Sequence, residues 1–158
     1  MFGRILIPTD FSHTSDAALD YGCELARRFG AQLYLLHVIE ETPLGGNGGE
    51  SWLANVPGIR DRLVRDAQQR LAHRLTELAA SVAVQGEVIF GRPAETIVDY
   101  AAEQHVDVIV MGTHGRTGVA HLLLGSVAEK VMRLTPCPVL TVRAGDHAPT
   151  REIAAAVA

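Results

Sequence analysis

The stretch "VDVIVMGTHGRTGVAHLLLGSVAEKVMRL", Val106 to Leu134, changes character twice. Its opening, "VDVIVM", is nearly all strand former and reads as a buried β-strand. Its close, "VAEKVMRL", reads as a helix, predicted over residues 126 to 134. Between them lie glycines at 112, 115, 118 and 125, followed by Ser126. A strand, a glycine-rich loop and a helix in that order form the unit from which parallel sheets are built.

The same alternation extends in both directions. Upstream, "RILIPT" (Arg4 to Thr9) is a short apolar strand that stops at Asp10, and Ser12 is placed to cap the next helix. That helix carries Ala18, Tyr21, Gly22, Leu25 and Phe29 on one face, has Arg27 and Arg28 in its last turn and ends at Gly30. "QLYLLHVI" (Gln32 to Ile39) is a second strand. A long surface helix follows, with Ile59, Leu63, Ala67, Leu71, Leu75 and Leu78 in one stripe. "EVIFG" is a third strand, Pro93 opens a helix carrying Ile97, Tyr100 and Ala101, and "PVLTVR" (Pro138 to Arg143) is the last strand. Near-continuous apolar strands between amphipathic helices predict an α/β fold, a single-domain open doubly wound parallel sheet of five strands in the order 3-2-1-4-5. The domain is expected to span residues 1–143. The glycine-rich segment 40–57 is expected to be a flexible loop and residues 144–158 a loosely held tail.

Composition narrows the function. The chain has 158 residues, 47% hydrophobic and 20% charged, with a formal net charge of −4. Without a basic excess, a non-specific grip on nucleic acid or anionic lipid is disfavoured, so the expected partner is a small molecule or a protein. No stretch reaches the roughly 20 apolar residues of a membrane span, and "MFGRILIPTD" lacks a signal peptide's apolar core, which points to the cytoplasm. Cys23 and Cys137 stand far apart without a CxxC pair and are expected to be reduced thiols.

In a doubly wound sheet ligands bind beyond the carboxyl ends of the strands where the order reverses, here after strands one and four. Two readings of the glycine loop are open at this point. In one, glycines admit positive φ and close approach, so that backbone N–H groups and the start of the helix cradle a phosphate with the Ser126 hydroxyl. In the other, the glycines only permit a long loop and Ser126 is an N-cap. Asp10 likewise either binds a ligand or caps the turn into the first helix. His37 reads as a satisfied buried side chain. His114 and His121 share the glycine loop without metal-ligand spacing, so no dedicated metal site is expected.

The spacing Gly112, two residues, Gly115, nine residues, Gly125, Ser126 resembles the G-2x-G-9x-G-[ST] motif of the universal stress protein family in its ATP-binding branch. "ILIPTDFS" and "CPVLTVR" resemble that family's first and last strands. The resemblance implies an adenine nucleotide alpha hydrolase-like fold and ATP as ligand, with Mg²⁺ or Mn²⁺ bound through the phosphates. It implies that Asp10, flanked by Pro8 and Thr9, contacts the ribose, and that Val38 holds the adenine through its backbone. It further implies that Gly112, with Met111 before it, meets the ribose, and that Gly115, Arg116, Gly125, Ser126 and the Val127 amide surround the phosphates. Close ATP-binding relatives often carry a hydroxyl two places after the serine, where this chain has Ala128, which implies that one phosphate contact is missing here. A homodimer through Val139 to Val142 is expected on two grounds, the bare apolar edge of the fifth strand and the family's mode of pairing.

The leading function is a nucleotide-dependent stress-response or regulatory module acting on an unidentified protein partner. One alternative is a slow ATPase or another nucleotide-processing enzyme of the same fold. "PTDFSHTS" lacks the HxGH and SGGxDS motifs of such enzymes, and no catalytic base is readable near the loop. The other alternative is a dimeric stress protein without nucleotide.

Overall fold

The computed structural model describes residues 2–41, 58–113 and 124–143. Along the chain it has β1 (Arg4–Pro8), α1 (His13–Phe29), β2 (Gln32–Glu40), α2 (Ile59–Leu78), β3 (Val84–Gly91), α3 (Pro93–Glu103), β4 (Val108–Gly112), α4 (Ser126–Leu134) and β5 (Val139–Val142). The strands form one parallel sheet in the order β3-β2-β1-β4-β5, as the sequence predicts.

Local chemistry sets the element ends. The Ser12 hydroxyl accepts the Ser15 N–H at 3.3 Å, and Gly30 closes α1 at φ 63°, a left-handed conformation that costs glycine little. β1, β4 and β5 are each shorter than the sequence reading by one or two residues at an end, while β3 and β2 extend beyond it. β3 starts at Val84, because Val84, Gln85 and Gly86 continue the ladder opposite Leu33, Tyr34 and Leu35. β2 runs on to Glu40, which therefore belongs to the sheet and not to the predicted loop. The rest of that loop, residues 42–57, and the tail from 144 lie outside the described residues.

Each strand sends alternate side chains to opposite faces. Ile5, Ile7, Leu33, Leu35 and Val110 pack under α1 and α2, while Leu6, Tyr34, Leu36, Ile109 and Met111 pack with Ile97, Tyr100, Ala128 and Val131 under α3 and α4. Most of these side chains are completely buried, each contributing about 1.5–3 kcal/mol. Cys23 belongs to the first cluster, and burial pushes its thiol pKa up to about 11. Phe29, predicted to face the core, is instead 47% exposed and packs edge-on against Phe2. It lies in the last turn of α1, and Leu63, near the start of α2, is similarly exposed.

One feature of the register prepares the site. β1 pairs with β2 along its whole length to Pro8–Leu36, but with β4 only at Ile5–Val108 and Leu6–Ile109. β1 and β4 therefore part before their carboxyl ends, where the strand order reverses.

Candidate functional site

The turn leaving β1 is held from several sides. The Thr9 N–H donates to the Leu36 carbonyl at 2.8 Å, the last rung between β1 and β2. The Thr9 hydroxyl oxygen accepts the Phe11 N–H at 3.0 Å and lies 3.1 Å from the Ser15 hydroxyl. Asp10 Oδ1 accepts the Ser12 N–H at 3.1 Å, so the local turn-forming role left open for Asp10 is realised. Phe11 sits at φ 61°, a conformation that costs a non-glycine residue about 1–2 kcal/mol and persists only where its surroundings fix it.

The surroundings do fix it. The Phe11 ring lies 4.5 Å from the His37 ring, tilted 34°, and the Arg70 guanidinium stands 4.4 Å from its centroid. His37, only 9% exposed, places Nδ1 2.8 Å from the Thr9 carbonyl oxygen. A carbonyl only accepts, so Nδ1 carries the proton. The satisfied buried histidine expected from the sequence is thus a link between β2 and the Asp10 turn. Beside it a concavity of about 530 Å³ is lined by Phe11, Asp66, Gln69, Arg70, His73 and Arg74, and Arg74 reaches Asp16 Oδ1 at 2.8 Å.

Val38 meets the same edge through its main chain. In a parallel ladder the N–H and C=O of one residue point to the same neighbouring strand, and successive residues alternate. The Gln32 N–H bonds Gly3 and the Leu36 C=O bonds Thr9, while the Leu33 N–H bonds Ala83. Even-numbered residues of β2 therefore face β1, and the Val38 amide and carbonyl point to that side beyond the last β1 rung.

Across the crevice, β4 ends at Gly112. A Cβ there would lie 2.7 Å from Thr14 Cγ2 and 3.1 Å from the Thr14 carbonyl carbon and oxygen. Close approach of β4 to the start of α1 thus requires this glycine whatever a ligand does. Thr113 follows, buried, donating its N–H to the Val142 carbonyl at 2.8 Å and accepting the Gly125 N–H at 2.6 Å on its own carbonyl. These two bonds close the neck of the glycine loop.

The positive φ expected of the loop glycines does not occur at Gly125, which has φ −74° and ψ 152°. Gly125, not Ser126, is the N-cap of α4, so the cap residue has no side chain to bond the helix start. The first intrahelical bond runs from the Glu129 N–H to the Gly125 carbonyl at 2.9 Å, so the N–H groups of Ser126, Val127 and Ala128 have no intrahelical acceptor. With the Gly125 N–H committed to Thr113, these three are the donors of the helix start.

The Ala128 methyl is 3% exposed and belongs to the core cluster with Leu6 and Met111. This corrects the expectation that a hydroxyl there would face phosphate. Met111 is itself buried, as is Pro8, which leaves main chain rather than side chains at those two positions to meet a ligand. The structure thus brings Pro8, Thr9, Asp10, Val38, Met111, Gly112, Gly125, Ser126 and Val127 to one sheet edge. Gly115 and Arg116 lie outside the described residues, as do His114, Gly118 and His121. Among the described residues no three His, Cys, Asp or Glu side chains cluster as metal ligands. Sequence reasoning did not find Thr113 or the Phe11–Arg70 contact. Neither residue belongs to a local pattern: Thr113 follows Gly112 in the loop sequence, and Arg70 is one of many charges beside the apolar stripe of α2.

Comparison with known proteins agrees with this architecture. The universal stress protein family profile matches residues 1–143. Universal stress protein MJ0531 of Methanocaldococcus jannaschii is 35% identical over 146 residues, covering 90% of this chain and 83% of that protein. Universal stress protein YxiE of Bacillus subtilis is 35% identical over 150 residues, covering 90% and 100%. The solved structure of MJ0577, another Methanocaldococcus jannaschii protein, superposes with a TM-score of 0.77 at 32% identity, covering 90% of this chain and 96% of that one. At 22% identity and a TM-score of 0.63, the Archaeoglobus fulgidus universal stress protein in complex with dAMP shares the fold. A sheet that reverses between β1 and β4, an aspartate turn on one side of the crevice and a glycine-spaced sequence leading into α4 on the other go with this match over residues 1–143, and the chain belongs to the universal stress protein family.

Proposed function

We propose that this protein binds ATP in the crevice beyond β1 and β4 and acts as a nucleotide-dependent regulatory module. The observation that carries the reading is the pairing of two ligand-ready main-chain edges across the strand-order reversal. On one side the Val38 amide and carbonyl point past the end of β1, matching the acceptor and donor on an adenine edge. On the other, the start of α4 offers three N–H groups and the positive end of its dipole to phosphate. Asp10 takes the ribose hydroxyls through its carboxylate, which the turn after β1 holds at this edge. Gly112 lets the sugar lie against the backbone, and Gly115, Arg116, Gly125, Ser126 and Val127 surround the phosphates. The donors here are N–H and hydroxyl groups, and the described residues hold no carboxylate cluster, so in this reading Mg²⁺ or Mn²⁺ is carried by the phosphates. The Archaeoglobus fulgidus universal stress protein, which shares the fold, is solved in complex with dAMP, itself an adenine nucleotide. No general base is assigned, and hydrolysis is expected to be far slower than the ~10 per second typical of enzymes.

The assembly in this reading is a homodimer through β5. Ile109 and Thr113 bond the carbonyls of Pro138 and Val142, so even-numbered residues of β5 face β4 and the main chain of Val139 and Thr141 faces the open edge. Leu140 is 40% exposed beside it. An antiparallel copy about a twofold axis pairs Val139 with Thr141 of its mate and sets the two Leu140 residues opposite each other.

Calorimetric titration of Mg-ATP into the wild type and into Gly125→Val and Gly115→Val tests the site. Saturable binding, lost in both variants, is expected. Equal affinity in all three proteins refutes the cradle.

A further inference from the structure

We propose that His37 is a positioning residue of the nucleotide site, aiming the Asp10 carboxylate through the two residues that flank it; this rests on the reading of Asp10 as the ribose ligand. Leu33, Leu35 and Leu36, the neighbouring core positions of β2, are apolar and essentially fully buried. An imidazole there loses hydration that a leucine would not need, a loss offset only by a hydrogen bond. That bond goes to the Thr9 carbonyl at 2.8 Å, one residue before Asp10. The same ring carries the Phe11 ring at 4.5 Å, one residue after Asp10. Phe11 is in the left-handed conformation, held additionally by its N–H to the Thr9 hydroxyl and by Arg70. His37 thus touches both neighbours of Asp10 from a central strand. A hydrophobic residue would fill the same volume but leave the Thr9 carbonyl without this donor.

The test is a double-mutant cycle read by Mg-ATP titration, with thermal melts of every protein. His37→Phe keeps a ring under Phe11 and removes the donor; His37→Asn places an amide N–H at the δ position and removes the ring. Asp10→Asn keeps the acceptor for the Ser12 N–H and removes the charge. His37→Phe is expected to weaken ATP about tenfold, the upper range for one hydrogen bond, and His37→Asn by less than about threefold. With Asp10→Asn already present, His37→Phe is expected to cost no further affinity, because its effect runs through the carboxylate. If the phenylalanine variant does not fold, His37→Leu takes its place as the donor-free protein. Wild-type affinity in the donor-free variant, or an equal loss with and without the Asp10 change, overturns the positioning role while leaving ATP binding intact. Absence of ATP binding in the wild type removes the nucleotide reading itself, and this inference with it.

Discussion

Replacing Gly112 with alanine separates packing from ligand contact at the position where both were invoked. The new Cβ would stand 2.7 Å from Thr14 Cγ2 and 3.1 Å from the Thr14 backbone carbon and oxygen. Comfortable contact between carbon atoms is about 3.5–4.0 Å, so β4 and α1 must separate by about 1 Å or Thr14 must rotate and its backbone still yield a few tenths. Overpacking of this kind costs about 1–3 kcal/mol. In a domain of this size each kcal/mol lowers Tm by about 2–4 °C, so a fall of roughly 2–12 °C is expected in scanning calorimetry without nucleotide. Adding Thr14→Ala removes the Cγ2 clash but not the backbone contacts, so part of the loss returns. A Tm within 1 °C of wild type would falsify the packing argument, and full recovery on adding Thr14→Ala would show that only the side chain was at fault.

Ala128→Thr inserts a hydroxyl and a methyl into a buried cluster, so it is expected to lower Tm, at about 1–3 kcal/mol, without strengthening ATP; a gain in affinity by titration contradicts the observed orientation. Thr141→Pro removes an N–H that faces the open edge while sparing the β4–β5 ladder, and light scattering is expected to find a folded monomer; a folded dimer would place the interface elsewhere. Thiol labelling at pH 8 is expected to reach Cys137 well before Cys23, whose pKa of about 11 and burial keep it protonated and covered. Fast labelling of folded Cys137→Ser rules this out. Asp107 accepts the N–H groups of Gly3 and Arg4 at 2.7 and 2.9 Å, which hold its pKa below the usual carboxylate value. Its contribution is therefore fully present above an unfolded value of about 3.9 and lost as pH falls through the lower folded one, so urea melts should show the advantage over Asp107→Asn shrinking below about pH 4.

Much of this fold was legible because each element carried its own period and punctuation. Ser12 and Gly30 bracket α1 as their chemistry requires, and the apolar runs of β1, β2 and β4 could be buried only in a sheet covered on both faces. β3 was read three residues short, because Val84-Gln85-Gly86 carries little strand propensity of its own and is recruited by pairing with β2. The site was legible as a place and less so in its details. Glycine spacing indicated the loop, but a glycine needed for close approach, as at Gly112, looks in sequence like one needed for positive φ. Ala128 looked like a missing ligand until its neighbours in the core were known. Thr113, Phe11 and Arg70 act through contacts between residues far apart in the chain, which no local pattern announces.

The two hydrogen bonds at Thr113 bear on how such a protein diversifies. One residue spends its N–H on β5 and its C=O on Gly125, so the chain leaves the sheet and enters α4 at a single fixed point. The two ends of the segment between residues 113 and 125 are therefore fixed by main-chain bonds, which a change of side chains within that segment does not remove. Doubling the length of such a segment adds only about 0.6 kcal/mol of closure entropy. Selection, or a protein engineer, can vary the sequence between these two points while the sheet, its register and its two buried faces stay as they are.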